Sequence, residues 1–328
     1  MDRRKITSAL LALAASVGPL SVSAQRADAS PRIGVLLLTS LATAKPSLDG
    51  FRSSLRELGL VDGRNLHLEV LSAEGNADRL PELAAQLVAR KVDIIVAGGG
   101  NASAIAARNV TQTIPIIMTL SINAVEAGLV QSLARPGGNV TGMTAPLDLG
   151  LKQIQLLKEL IPALSRLVVL VRHDQLTPAE LQGATMAVQS LLGLTPQFVE
   201  VRSPQDLQRA LAQIRAARAE AMIVSGDPLL YQQREQIVAF ARAAKIADLT
   251  SAPDMIDAGA LLYYGPHPQE LYRTVARFID RILKGAKPAD LPVEQPTLFE
   301  LAINLGTAKA LGLKVPQTIL LRAERVVE

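Results

Sequence analysis

Short apolar runs alternate with helical patterns along most of the chain, and this alternation constrains the fold more than any other feature. Ile33–Leu38 is a continuous apolar run of the kind that forms a strand buried on both faces. Apolar side chains then recur every three or four residues from Leu48 to Leu58, which predicts a helix that ends at Gly59. Strands and helices that alternate in this way, at intervals of roughly 25–35 residues, are typical of a parallel sheet with crossover helices.

The alternation occurs twice, which predicts two domains. A first set of strands ends near Met143, and a second set begins with the helical pattern from Leu149. We therefore predict an α/β fold with two doubly wound parallel-sheet lobes. Late elements are expected to complete both lobes. The predicted lobes are 31–145 with about 260–290, and 146–259 with about 291–328.

The first 24 residues have the three parts of a secretory signal. Charged residues at Asp2–Lys5 precede an apolar stretch over Ile6–Leu20, and Val22-Ser23-Ala24 ends in small residues. The alternative is an N-terminal helix or membrane anchor, but the apolar stretch is short and contains Gly18-Pro19. We expect residues 1–24 to be cleaved and the mature protein to be periplasmic; a twin-arginine route through Arg3-Arg4 stays open.

Composition excludes several kinds of function. The chain has no cysteine, so a thiolate metal site, a cysteine nucleophile and a disulfide framework are all impossible. Half of its formal net charge of +4 arises in the first five residues, and so small an excess argues against nucleic acid as a partner. The three histidines have no metal-ligand spacing, and the chain has no P-loop or nucleophile-elbow motif. We expect neither a cofactor nor a metal.

Small polar residues and glycines follow the predicted strands. Gly98-Gly99-Gly100-Asn101 lies between a buried strand and a helix, where backbone amides at a helix N-terminus can bind a carboxylate-sized anion. The alternative is a tight turn without a ligand. Because ligands of open parallel sheets bind at the carboxyl ends of strands, the polar groups at the other strand ends are candidates as well. The predicted ligand-binding residues are Ser40, Gly99, Gly100, Asn101, Ser121 and Asn123 in the first lobe, and Asp174, Gly226 and Asp227 in the second.

Asp227 has two interpretations. As a ligand residue it would accept a hydrogen bond from the far side of the solute, whereas as a structural residue it would cap the helix that starts near Pro228. His173 follows another strand end, so an exported enzyme that uses His173 with Asp174 or Asp227 also stays open. Catalytic residues are not predicted, because no nucleophile–base pair is evident.

Several longer stretches of the chain resemble one known family. They are Ile33–Leu36, Arg79–Ala84, Arg135–Gly142, Arg281–Gly285, Gln295–Leu301, Asn304-Leu305 and Thr307–Leu313. From about Pro31 to Glu328 the sequence resembles the periplasmic substrate-binding proteins of ABC transporters, in the group whose characterised members bind tryptophan or tyrosine. The resemblance implies a type I periplasmic binding fold, with a hinge of several strands and a ligand in the cleft between the lobes; the hinge segments are then expected at Thr144–Pro146, Ala258–Leu261 and Leu291–Gln295. It also implies a role as the receptor of an importer, permease subunits as partners and a monomeric state.

One stretch departs from the family pattern. After the fourth strand, family members often carry Gly-Asp-Pro-Val, where this chain has Ile122-Asn123-Ala124-Val125. A carboxylate at this point could hold an ammonium group, and the neutral Asn123 would hold it less well. The ligand class is therefore open between an amino acid and a small organic acid. A sugar-sensing transcription regulator shares this bilobal fold, but it would need a DNA-binding module where this chain has a signal.

Overall fold

The computed structural model describes residues 30–146, 148–173 and 176–328 of the 328-residue chain. The predicted signal peptide, residues 1–24, lies outside this part, as does Asp174. Within the described ranges, none of the helices has the length and apolar character that a membrane crossing requires.

The first lobe is built on a sheet of five parallel strands. In chain order they are β1 (Arg32–Leu37), β2 (His67–Ser72), β3 (Ile94–Gly98), β4 (Ile116–Ser121) and β5 (Val140–Thr144). The crossover helices are α1 (Leu41–Glu57), α2 (Leu80–Ala89) and α3 (Asn101–Val110). The strand order is β2-β1-β3-β4-β5, so the chain reverses its direction of growth between β1 and β3. In such sheets, ligands bind outside the carboxyl ends of the strands at this reversal.

The second lobe is built on a seven-stranded sheet. Its strands are β6 (Leu167–Arg172), β7 (Gln197–Val201), β8 (Ala221–Val224), β9 (Ala247–Thr250), β10 (Leu262–Pro266), β11 (Phe299–Asn304) and β12 (Arg325–Val327). The order is β12-β11-β10-β9-β8-β6-β7, with β10 and β11 antiparallel and the other neighbours parallel. The helices that follow α3 are α4 (Leu149–Leu160), α5 (Pro178–Leu192), α6 (Leu207–Ala216), α7 (Pro228–Gln232), α8 (Arg234–Ala244), α9 (Pro268–Leu283), α10 (Leu305–Ala310) and α11 (Gln317–Leu320).

Both sheets are covered on both faces, as expected for parallel strands. In the first lobe, Ile33 and Val35 belong to the apolar cluster on one face of the sheet, and Leu36 belongs to the cluster on the other. In the second lobe, Leu170 and Ile223 belong to two such clusters in the same way. The continuous apolar runs of the sequence therefore correspond to strands with no solvent-facing side.

The residues after about 260 are divided between the two lobes differently from the prediction. Strand β10 belongs to the second sheet, so assigning about 260–290 to the first lobe is wrong for this strand, although α9 does pack against α1. Residues 291–295 were assigned to the second lobe, yet the Glu294 amide donates to Gly142 O (2.9 Å) beside β5 of the first. The chain in the described part thus changes lobe after β5, between β10 and α9, and ahead of β11. An apolar strand can pair with either sheet, so its pattern alone could not assign it.

Candidate functional site

A cavity of about 710 Å³ lies between the two lobes. The first lobe contributes residues that follow β3 and β4, among them Gly99, Gly100 and Asn123. The second lobe contributes residues at the ends of β6 and β8, among them Arg172 and Asp227. The cavity therefore lies at the carboxyl edges of both sheets, where the sequence predicted a ligand site.

The glycine loop after β3 lines this cavity. Gly99 has φ +105° and Gly100 has φ +77°, conformations that favour glycine over residues with a side chain. A Cβ atom added at Gly99 would lie 3.0 Å from Leu38 Cβ in the first lobe and 3.2 Å from Pro228 Cγ in the second. The glycines therefore allow the two lobes to approach each other at the N-terminus of α3.

The side chain of Asn101 fixes the neighbouring loop. Its Nδ2 donates to Ile122 O (2.8 Å), and its Oδ1 accepts from the Ile122 amide (2.9 Å). Both ends of the carboxamide are thus bonded to the chain that follows β4. Asn101 lines the cavity, and these bonds hold Asn123 at the rim of the first lobe.

Asn123 and Glu180 join the two lobes. Asn123 adopts φ +49°, and its Nδ2 donates to Glu180 Oε1 at the start of α5. Glu180 Oε2 also accepts from the Thr177 amide (2.7 Å) and the Thr177 hydroxyl (2.8 Å) in a capping box. Burial raises the pKa of Glu180, but the hydrogen bonds from Thr177 and Asn123 outweigh it, so that the pKa lies below its ordinary value. An ionised carboxylate thus lines the cavity beside Asn123.

The sequence analysis did not identify Glu180 as a site residue. The Thr177-Pro178-Ala179-Glu180 spacing is that of a capping box, which identifies the first turn of a helix. That pattern places Glu180 at a helix N-terminus, but it does not show that this turn faces the other lobe.

Asp227 caps a helix and also forms an ion pair. Its Oδ1 accepts from the Leu229 amide (2.8 Å) at the start of α7, and its Oδ2 accepts from Arg172 Nε (2.8 Å). Asp227 is only 6% exposed, so both bonds form away from bulk water. Arg172, which sequence reasoning missed, ends the apolar run of β6 and lines the cavity. The sequence feature that could have identified Arg172 is its position: it is a basic residue at the carboxyl end of an apolar strand, where ligands of parallel sheets bind.

Three further residues with predicted or open roles have other surroundings. Ser40 caps α1, where it accepts from the Thr43 amide (3.2 Å), and Ser121 is fully buried and donates to Met143 O (3.2 Å). Neither is among the described residues that line the cavity. His173 Nδ1 is hydrogen-bonded to Glu200, and His173 is likewise outside that set. Gly226 does line the cavity, as predicted.

The remaining walls are largely apolar. They come from α4, α5 and the face of the second sheet that these helices cover, and include Leu151, Ile154, Val169 and Ile223. In the described part of the chain, no group of three histidine, aspartate or glutamate side chains is placed to hold a metal ion. A few polar groups in a largely apolar cavity are typical of a small-molecule site.

Sequence comparison identifies the family. The family model for ABC transporter substrate binding proteins matches residues 32–327. The chain belongs to this family. Its predicted type I periplasmic binding fold and its function as an ABC transporter substrate-binding protein are thereby confirmed.

Individual proteins that are similar to this substrate-binding protein agree with this family assignment. A tyrosine-binding protein from Clostridioides difficile (strain R20291) is 29% identical over 279 residues, covering 82% of this chain and 78% of that protein. The crystal structure of an ABC domain in complex with L-Trp from Streptococcus pneumonia is 26% identical, with a TM-score of 0.83 over 91% of this chain and all of that one. A leucine binding protein from Thermotoga maritima shares the fold, with 20% identity and a TM-score of 0.55 over 80% of this chain and 78% of that one.

Proposed function

We propose that this protein captures an amino acid in the cavity between its lobes and delivers it to the permease of an ABC importer, with a small organic acid as the second candidate. The observation that carries the proposal is the position of charge in a largely apolar cavity. Glu180 provides a carboxylate, the N-terminus of α3 provides positive potential, and Arg172 provides guanidinium donors while it is paired with Asp227. Relatives named for tyrosine binding and for an L-Trp complex support an amino acid.

The position of Glu180 favours an amino acid over a small organic acid, the two ligand classes between which the neutral Asn123 does not decide. The neutral Asn123 by itself offers no counter-charge to an ammonium group, but its amide is bonded to the Glu180 carboxylate. The second lobe therefore supplies an anion next to the place where the first lobe lacks one. In this proposal Glu180 binds the ammonium group, while the carboxylate lies near Gly99, Gly100 and the Arg172 guanidinium.

Closure of the lobes would couple binding to transport. Groups of both lobes line the cavity, so a solute that contacts both favours the closed arrangement by its differential affinity. The three chain crossings are the segments that would absorb the motion. We propose further that the mature protein is a periplasmic monomer exported by its N-terminal signal, and that the closed lobes dock on the permease.

A ligand screen with one matched pair of variants tests this function. Thermal shift with the common amino acids, aromatic acids and nucleosides should find a solute that raises the melting temperature, because it binds the folded form. Calorimetry should then show that Glu180→Gln weakens binding of an amino acid by about 10-fold or more, the scale of a hydrogen bond to a charged group. Glutamine has a single acceptor oxygen, so this variant removes the charge together with the bond either from Asn123 or from the Thr177 amide.

The control is Glu82→Gln, which changes an exposed carboxylate on α2 and should leave binding unchanged. The carboxylic acid that lacks the amino group should bind the parent protein and Glu180→Gln equally. Equal loss for both solutes would contradict the assignment of Glu180 to the ammonium group. If chromatography shows that the protein converts the bound solute into a product, the alternative function, an exported enzyme, would be favoured instead.

A further inference from the structure

A second cavity of the protein is a groove along the outer edge of the second sheet. It has a volume of about 580 Å³ and lies between β7 and one flank of α6. Strand β7 is the last strand of the sheet and pairs with β6 on its inner side. Of the described residues that line the groove, Phe198 alone also lines the cavity between the lobes. The groove is therefore a separate feature of the second lobe.

The flank of α6 that forms one wall of the groove carries small and polar side chains. The helix buries Leu207, Leu211 and Ile214 in the apolar cluster that also contains residues of β7. The residues that it turns to the groove are Arg209, Gln213, Ala216 and Ala217. Ala216 is exposed and Ala217 is half-buried. A chain segment that lay along β7 would therefore have room for its side chains over the two alanines.

The edge of β7 presents unpaired backbone groups to this groove. Val201 O accepts from the His173 amide (2.9 Å), so Val201 and Val199 turn their backbone groups towards β6. Because successive residues of a strand alternate, the amides and carbonyls of Phe198 and Glu200 point away from the sheet. Among the described residues, none forms a hydrogen bond with these groups across the groove. An extended peptide can pair with such an edge as one more strand.

Charge at one end of the groove favours an acidic occupant. Since α6 runs back antiparallel to β7, its first turn lies at the carboxyl end of the strand, and Arg202, Arg209 and Glu200 line this end. Glu200 is bonded to His173, and Arg209 is paired with Asp206. Arg202 is exposed and forms no ion pair within the part of the chain that the structure describes. A second copy of the chain would bring a second such arginine to the same edge, whereas a carboxylate would complement it.

We infer that this groove is a docking site for an extended, acidic segment of a partner protein. The segment adds a strand to β7, and its backbone bonds to Phe198 and Glu200. Its side chains alternate in direction, so that small ones face Ala216 and a carboxylate reaches Arg202. All of these contacts belong to the second lobe and need no solute between the lobes. The inference therefore goes beyond the proposed function and does not depend on it.

Fluorescence anisotropy with short peptides tests the site on the purified protein. The probe is a labelled Val-Thr-Val-Ala-Asp-Asp with blocked ends, and its match has lysine in place of both aspartates. The acidic peptide should bind saturably, and the lysine peptide at least fivefold more weakly. Two further acidic peptides carry N-methyl groups on the odd or on the even residues. Because only alternate amides of an added strand face β7, one of them should lose binding and the other should retain it.

Two matched pairs of variants locate the site. Ala216→Tyr should remove binding by filling the groove, whereas Ala212→Tyr adds the same side chain at an exposed position of α6 outside the groove lining. Arg202→Gln should weaken the acidic peptide by about twofold to fivefold, the scale of an exposed ion pair. Arg64→Gln changes an exposed arginine of the first lobe and should have no effect, and this second pair decides the matter if Ala216→Tyr does not fold.

Several outcomes would overturn the inference. The acidic and lysine peptides binding alike would remove the charge argument, and equal affinity of the two N-methylated peptides would contradict strand addition. Absence of binding by the parent, or full binding by a folded Ala216→Tyr, would contradict the site itself. If sedimentation shows that the parent forms a dimer and that Ala216→Tyr does not, the groove binds a second copy of the chain instead.

Discussion

The carboxamide of Asn123 in the first lobe donates a hydrogen bond to the carboxylate of Glu180 in the second. The two residues are 57 positions apart in the chain, and their contact joins the rims of the cleft. It forms in the arrangement in which Gly99 also approaches Pro228 from the other lobe. These contacts make the lobe–lobe interface sensitive to single substitutions at its rim.

Asn123→Asp should oppose closure. The new carboxylate would face Glu180, and like charges at this distance repel, whereas Asn123→Gly would remove the hydrogen bond without repulsion and would tolerate φ +49°. We expect the affinity for a carboxylic acid without an ammonium group, which cannot offset this repulsion, to fall by about 10-fold or more in Asn123→Asp at neutral pH and less in Asn123→Gly. Calorimetry checks the order, and equal losses in the two variants would contradict it.

The repulsion in Asn123→Asp should also depend on pH. A second carboxylate beside Glu180 disfavours the ionisation of both, so the pair retains a proton as the pH is lowered. We expect affinity in Asn123→Asp to recover partly between neutral and mildly acidic pH, relative to Asn123→Gly measured under the same conditions. A constant ratio between the two variants across this range would be inconsistent with charge repulsion.

Gly99→Ala should impair closure more than Gly100→Ala. Both residues have positive φ, so alanine strains the loop at either position at a cost of roughly 1–2 kcal/mol. Only at Gly99 would the added methyl group press against Pro228, since a Cβ at Gly100 meets no atom within 4 Å. We expect both variants to lose stability in urea, and Gly99→Ala to lose more because its methyl group also crowds Leu38 Cβ in the same lobe; only Gly99→Ala should weaken ligand binding. Small-angle scattering with saturating ligand should then show a less compact Gly99→Ala protein, and identical curves for the two variants would contradict this.

Substitutions of Asp227 should lower both the free energy of unfolding and the ligand affinity, and two variants separate these effects. Asp227→Asn keeps an oxygen for the Leu229 amide and loses the charged partner of Arg172, while Asp227→Ala loses both. A helix cap contributes about 1 kcal/mol, and a hydrogen bond to a charged group about 1.5–3 kcal/mol. We therefore expect the free energy of unfolding to fall in the order parent, Asp227→Asn, Asp227→Ala. If both variants lose stability but bind within twofold of the parent, Asp227 and its pair with Arg172 have only a structural role.

Asp248 should make the protein less stable as the pH rises. Burial raises the pKa of Asp248 to about 7; Oδ1 accepts from the Leu261 amide (3.0 Å), and Oδ2 has no hydrogen-bond partner among the described residues. Because the pKa is higher in the folded than in the unfolded protein, this stabilisation is complete below about pH 4 and is lost as the pH rises towards 7. Asp248→Asn should thus be more stable than the parent at pH 8, on the order of 3–4 kcal/mol, with the difference vanishing near pH 4. Urea unfolding at several pH values tests this, and a difference that does not vary with pH would contradict it.

Local pattern was sufficient for much of the secondary structure. The apolar run at Ile33–Leu38 and the helical spacing of Leu48 to Leu58 correspond to β1 and α1. A strand buried on both faces needs consecutive apolar residues, and a helix buried on one face needs them every three or four residues. The helix predicted to start near Pro228 is short, since α7 ends at Gln232 and a second helix, α8, begins at Arg234. The sheet to which β10 belongs was wrongly predicted, because the apolar pattern of a strand does not specify which strand it pairs with.

The sequence by itself determined the two-lobed α/β architecture and located the glycine loop at a strand end, because both depend on residues near one another in the chain. Only the tertiary structure brought Asn123 to Glu180, paired Arg172 with Asp227 across 55 positions, and enclosed Ser121 away from the cavity. These relationships depend on the packing of the lobes and on the register of strands, which local periodicity does not encode. The charge that Asn123 lacks in the first lobe is supplied by Glu180 of the second, because the packing of the lobes places the start of α5 at the same rim.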